Sequence, residues 1–157
     1  MNIGIFVNSK TGNTLSVAET LRKRLLAEGH EVSLEKLFPT NESEMDPKKV
    51  RLKSQPLTDG YDLLIFAAPV NGFRPSITMQ AFLLGLPELE GRQTACFVTQ
   101  GFPFPWMGGN QALAIMRVLI ERKGGKMGAA GVINWKSPGK RAKQISELVE
   151  MFAAFCR

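Results

Sequence analysis

Ser9-Lys10-Thr11-Gly12-Asn13-Thr14 puts three hydroxyls and one glycine directly after the apolar run Ile3-Gly4-Ile5-Phe6-Val7. A helix that begins here has backbone N–H groups with no intrahelical acceptor, and its dipole favours an anion. Hydroxyls add donors, and Gly12 lets the backbone curl around a tetrahedral group. A phosphate monoester suits this chemistry. GxxxxGK[ST] is absent, which disfavours ATP hydrolysis, and so is GxGxxG, which disfavours a dinucleotide held in the Rossmann manner. The same residues also serve as a plain turn and a helix capped by Asn13 or Thr14. Two other stretches are as unusual. Pro69-Val70-Asn71-Gly72-Phe73-Arg74 holds an Asn-Gly pair, a turn signal in its own right. Thr99-Gln100-Gly101-Phe102 opens a Gly/Pro segment that carries Phe102, Phe104 and Trp106 and ends at Gly108-Gly109.

The elements that must position these loops follow from periodicity. Residues 2–8 read as a short buried strand, and Leu15, Ala18, Leu21, Leu25 and Leu26 recur at helical spacing up to about Glu28, where Gly29 stops the helix. Residues 31–37 alternate as a strand near a sheet edge. Residues 39–60 read as a long connection with a weak helical turn at 47–52. Asp62 to Ala68 is apolar on both faces, as a central parallel strand must be. A turn at 69–74 leads to a helix over 75–85, with Pro75 in its first turn. A strand at 94–99, a loop at 100–109, a helix at 110–123, a strand at 128–133 and a helix at 138–155 complete the chain. Strand–helix alternation of this kind predicts one α/β domain over residues 1–157, with five parallel strands in the order 2-1-3-4-5 and helices on both faces. Ligands of such sheets sit beyond the C-terminal ends of the strands, near the switch point, where the three unusual loops fall.

Composition excludes several function classes. The chain has 157 residues, 44% of them apolar and 22% charged, which is ordinary for a globular protein. The longest apolar run, Leu63 to Val70, is too short for a membrane span, and the first residues lack the basic and apolar parts of a signal peptide, so a cytoplasmic location is expected. Cys96 and Cys156 form no CxxC, and His30 is the lone histidine, so no metal site is expected. Cys96 reads as an inert core thiol, and Trp135 as packing. No carboxylate pair stands near a predicted strand end, which argues against a receiver domain or a metal-dependent hydrolase, and no catalytic residue is assigned. The net charge of +6 is uneven: residues 1–60 hold 9 basic and 8 acidic residues, whereas 61–157 hold 11 and 6. No basic run is long and no binding motif accompanies it, which argues for a solvated basic face and against nucleic acid as partner.

Ser9 to Thr14 resembles the phosphate loop of the flavodoxin family, written [ST]-x-T-G-x-T. Ala68 to Pro75 resembles the second flavin loop of small flavodoxin-like proteins, and Thr99-Gln100-Gly101-Phe102 opens where the third belongs. The resemblance implies a flavodoxin-like three-layer sandwich that binds FMN. Ser9, Lys10, Thr11, Gly12, Asn13 and Thr14 would wrap the phosphate. Pro69, Val70, Asn71, Gly72 and Phe73 would flank the ring, with Asn71-Gly72 beside its reactive edge, where a glycine lets a carbonyl turn toward the flavin. Thr99, Gln100, Gly101, Phe102, Trp106 and Gly108 would complete the site. Because prolines lack an N–H, the third-loop donors would be Gly101, Phe102 and Gly108. At least one of Phe102, Phe104 and Trp106 would touch the ring, although these aromatics could instead fold back as a plug. The implied function is electron transfer to a redox partner protein. The alternatives are an FMN-dependent NAD(P)H:acceptor oxidoreductase of quinone type, or a non-redox module that has lost flavin. A monomer or homodimer fits either case. The chain departs from the family in its Lys10, in a third loop without an acidic residue and tyrosine, and in its positive charge, which would not suit basic partners.

Overall fold

The computed structural model describes residues 1–157. In chain order it has β1 (Asn2–Val7), α1 (Asn13–Ala27), β2 (Glu31–Lys36), β3 (Leu63–Asn71), β4 (Arg74–Pro75), α2 (Ile77–Leu84), β5 (Gln93–Gln100), α3 (Gly109–Arg122), β6 (Lys126–Asn134) and α4 (Pro138–Phe155). The main path of the sheet is β2-β1-β3-β5-β6, parallel throughout. With the two-residue β4 set aside, this is the expected 2-1-3-4-5 order. No helix is long and apolar enough to cross a membrane.

Alternation along the strands divides the core in two. Ile3, Ile5, Leu63, Ile65 and Phe97 face α1 and α4, which contribute Val17, Leu21, Leu148 and Phe152. Phe6, Leu64, Phe66, Cys96 and Val98 face α2 and α3, which contribute Met79, Phe82, Met116 and Ile120. Phe6 anchors the second layer, its ring centroid 5.7 Å from Phe66 and 5.3 Å from Phe82. Each such buried ring contributes about 1.5–3 kcal/mol through removal of apolar surface from water. Arg24 pairs with Glu28 one turn on at 3.0 Å and with Glu150 of α4 at 2.5 Å, and Arg157 reaches Glu28 at 3.1 Å.

Four expectations need correction. The segment at 69–74 is not an open turn: β3 runs on to Asn71, and β4 folds back antiparallel on it with Asn71 opposite Arg74 and Val70 opposite Pro75. Pro75 therefore ends a strand and does not start a helix. α2 begins at Ile77 with Ser76 as cap, its Oγ accepting from Met79 N–H at 3.2 Å. Residues 47–52 form no helix. A single turn brings Lys49 N–H to Asp46 C=O, and Pro39 bridges Leu52. β6 is longer than 128–133, and its register with β5 slips at Gly128, between Thr94 opposite Met127 and Ala95 opposite Ala129. The Phe155 ring occupies the space that a side chain at Gly128 would need.

Candidate functional site

Each helix that follows a parallel strand starts at the same edge of the sheet, so the first turns of α1 and α3 and the β3–β4 hairpin lie at one edge. The loop before α1 is shaped by Gly12, which caps the helix at φ +94°, a left-handed geometry that side chains disfavour. Ser9 Oγ accepts from the N–H groups of Gly12 (3.1 Å) and Leu15 (3.2 Å). The N–H groups of Lys10, Thr11, Asn13 and Thr14 have no acceptor in the protein. Lys10, Thr11 and Gly12 are exposed, and Ser9 and Asn13 are half-buried. No acidic residue lies in the first turn of α1. The loop thus offers four free amides, the Ser9 and Thr11 hydroxyl protons and the Lys10 ammonium to one anion. Thr14 is different. Its side chain is buried, and its hydroxyl is engaged with that of Thr99 at 2.7 Å. This pair ties α1 to β5 and engages one of the Thr14 hydroxyl's hydrogen-bonding positions.

The second loop is a two-residue hairpin whose central residues are Gly72 (φ +57°) and Phe73 (φ +65°). Positive φ at both central positions is the type I′ turn that matches strand twist. The turn is therefore centred one residue later than the Asn71-Gly72 pair. It leaves Asn71, Gly72 and Phe73 exposed, while Pro69 and Val70 stay half-buried in β3. Phe73 holds a left-handed conformation that a non-glycine residue adopts only at a cost of about 1–2 kcal/mol.

The third loop begins with a buried residue, Gln100, which lies beneath it. Gln100 Nε2 donates to the Phe104 carbonyl (2.6 Å) and to Asn134 Oδ1 (2.5 Å), with the Phe102 carbonyl at 3.2 Å. Gln100 Oε1 and Asn134 Nδ2 are buried without a protein partner. The N–H groups of Gly101 and Phe102 are free, but that of Gly108 donates to Gln111 Oε1 at 3.0 Å. Gly108 is therefore removed from the expected donors. Phe104 and Trp106 stack on each other at 5.7 Å with an interplanar angle of 6°, and the Lys140 ammonium sits 5.0 Å from the Phe104 centroid. The rings are not a buried plug: Phe102 is 53% and Trp106 63% exposed. A Cβ at Gly108 would stand 3.2 Å from Val70 Cγ1, so the second and third loops touch.

The structure brings all three loops to one edge. Sequence reasoning missed Asn8, whose Nδ2 donates to the Leu37 carbonyl at 3.0 Å and braces the end of β1. Lys140 and Arg141, a cluster within the positive excess of the second half of the chain, stand beside this edge, the latter with its guanidinium 4.6 Å from the Trp135 centroid. Burial pushes the Cys96 thiol up to about 12, so it is neutral and inert at ordinary pH. Two clefts lie away from the loops, one of about 470 Å³ between residues 47–55 and the end of α2 and one of about 230 Å³ beside Cys96.

No family model and no curated protein sequence matches the chain. Solved structures do. Oxidised flavodoxin 2 from Bacillus cereus superposes with a TM-score of 0.68 at 21% identity, covering 98% of this chain and 99% of its own. The two-electron reduced flavodoxin of Megasphaera elsdenii gives 0.68 at 19% identity, covering 97% and 98%. The chain has the flavodoxin fold. A Streptococcus pneumoniae TIGR4 flavodoxin gives 0.65 at 18% identity, with 98% and 99% covered. At these identities the likeness speaks for the fold. The loops on the flavodoxin fold here have their own composition, and they decide what the site can hold.

Proposed function

We propose that this flavodoxin-fold chain binds FMN across its three loops and works as an electron carrier between proteins. The observation that carries the reading is the set of four unpaired amides, at Lys10, Thr11, Asn13 and Thr14, gathered around Gly12 at the start of α1. They fit a phosphate monoester in number and chemistry. The Ser9 and Thr11 hydroxyls and Lys10 would supplement them. Asn71, Gly72 and Phe73 would border the ring, the Gly101 and Phe102 N–H groups would meet its polar edge, and Phe102 and Trp106 would supply aromatic surface. Thr99 and Gln100 would act from beneath, holding α1 and the third loop in place. When bound, FMN supplies one- and two-electron redox chemistry, and the protein supplies binding, orientation and electrostatics. The chain would act as a single domain in the cytoplasm.

The test is a visible spectrum before and after addition of FMN and desalting. Flavin bands near ~450 and ~375 nm that remain with the protein are expected. FMN that passes straight through would refute the reading and favour a non-redox module. Anaerobic NADH or NADPH added to the loaded protein should leave the flavin oxidised for minutes. Rapid bleaching would identify an NAD(P)H-dependent oxidoreductase instead.

A further inference from the structure

The charge of this edge is one-sided. The four segments that follow β1, β3, β5 and β6, each taken to the end of the next helix's first turn, contain Lys10, Arg74, Lys136, Lys140 and Arg141, and none of the chain's 14 acidic residues. All four helices begin at this edge, and none has an acidic residue in its first turn, so their positive dipole ends add to the side-chain charge. The loop after β2, at the far side of the sheet, carries both signs. The opposite end of the sheet carries both signs, with Glu31 at the start of β2 and Asp59, Asp62, Glu88 and Glu90 in loops beside Arg92, Lys123 and Lys126. Within the basic ring stand Phe73, Phe102, Phe104 and Trp106, between 45% and 63% exposed. Gly108 packs against Phe73, and Phe104 stacks on Trp106. Exposed aromatics inside a charged rim are the composition of a protein interface. Side chains this exposed are open to a partner's surface.

We infer that this edge is a docking face for a protein whose own surface is acidic, the redox partner in the function proposed above. The inference rests on that reading for the partner's redox role, while the charge and aromatic pattern stand on their own. Attraction between a basic face and an acidic one speeds encounter and fixes orientation, and it weakens with salt. Docking at this edge would bring the partner to the loops that would hold the flavin.

The experiment measures binding of the full chain, with and without FMN, to two probes: an acidic plant-type [2Fe–2S] ferredoxin and basic cytochrome c. We expect the ferredoxin Kd to weaken about tenfold or more between roughly 0.02 and 0.5 M salt, with cytochrome c bound far more weakly. Arg74→Glu with Lys136→Glu should weaken ferredoxin binding about tenfold at low salt. The matched pair Arg122→Glu with Lys126→Glu makes the same change in net charge at the opposite end and should change Kd by less than about twofold. Circular dichroism and FMN titration of each variant separate folding and cofactor loss from docking. Equal weakening by both pairs, salt-insensitive ferredoxin binding or preferred binding of cytochrome c would overturn the inference while leaving FMN binding intact. Absence of FMN binding with local, salt-sensitive ferredoxin binding would keep the acidic-partner face and sink its redox role.

Discussion

Thr14 and Thr99 form a buried hydroxyl pair, 2.7 Å apart and 1% and 4% exposed. Thr14→Val keeps the shape of the side chain but leaves the Thr99 hydroxyl in the core without its partner. An orphaned buried hydroxyl costs about 1–3 kcal/mol, and Thr99→Val should cost a similar amount for the reciprocal reason. Replacing both removes the unmet demand, so the double variant should lie within about 1 kcal/mol of the parent. The coupling energy is then about 1–3 kcal/mol or more, of the sign that marks two groups satisfying each other. Urea unfolding followed by circular dichroism measures it, with an unchanged m-value as the condition for comparison. In a chain of this size each lost kcal/mol should also lower Tm by about 2–4 °C. A double variant that loses the sum of the two singles would refute the argument. So would single variants within about 0.5 kcal/mol of the parent, the range of inert surface changes.

Three further outcomes follow from the same geometry. Thr11→Val removes an exposed, unpartnered hydroxyl, so folding stability should stay within about 0.5 kcal/mol. FMN binding should weaken by about 1.5–3 kcal/mol, one charge-assisted hydrogen bond, with riboflavin binding unchanged in parallel fluorescence titrations. Gly12→Ala meets no neighbouring atom within 4 Å, so its effect is the backbone's alone. Thermal unfolding and FMN titration should together show a loss of about 1–2 kcal/mol, either as strain in the folded chain or as a cradle that has turned away from its ligand. Glu28, held down chiefly by Arg157 and also by Arg24, and Glu150, held down by Arg24, both have carboxyl values below the ordinary range. Their contribution is present above the unfolded-state value and is lost as pH falls through the lowered folded values. Arg24→Met should therefore flatten the acid limb of a stability–pH curve below about pH 4.5 and leave the neutral-to-alkaline limb parallel to the parent's.

Periodicity made the layered architecture legible because it reports burial directly. Leu63 to Ala68 is apolar on both faces and is the central strand, and the sparse alternation of β2 marks a sheet edge. The turn at Ser9 to Gly12 before α1 was also legible, since a hydroxyl-rich turn before an amphipathic stretch is a local signal. What failed was non-local. Pro75 satisfies the local rule for a helix start, but two ladder positions across from Val70 and Asn71 hold it in a strand, with Ser76 taking the cap. Asn71-Gly72 is the stronger turn pair by propensity, yet the register with Arg74 moves the turn centre to Gly72-Phe73. The contact of Thr14 with Thr99, 85 residues on, has no local signal in the sequence. The side-chain pairings of Gln100, Asn134 and Lys140 depend on the path of the third loop, which has no period to read.

The proposed phosphate cradle and the proposed docking face draw on the same physical source, and this gives the site a direction. Helices after parallel strands must start at one edge of the sheet, so every flavodoxin-type sheet has positive dipole ends there. A fold of this kind can offset them with acidic loops or reinforce them. This chain reinforces them, with five cations and no acid between the four strand ends and the first turns of the helices that follow. A bound phosphate monoester brings about −1.5 to −2 charges, less than the side-chain excess, so the edge stays positive when the proposed cofactor is in place. Ferredoxin binding should therefore be somewhat tighter to the FMN-free chain than to the loaded one at low salt, and the two should converge as salt screens the difference. A loaded chain that binds the acidic probe more tightly at every salt concentration would mean that the cofactor orders the aromatic loop for docking. In that case contacts made by Phe102 and Trp106, and not the charge around them, would dominate the interface.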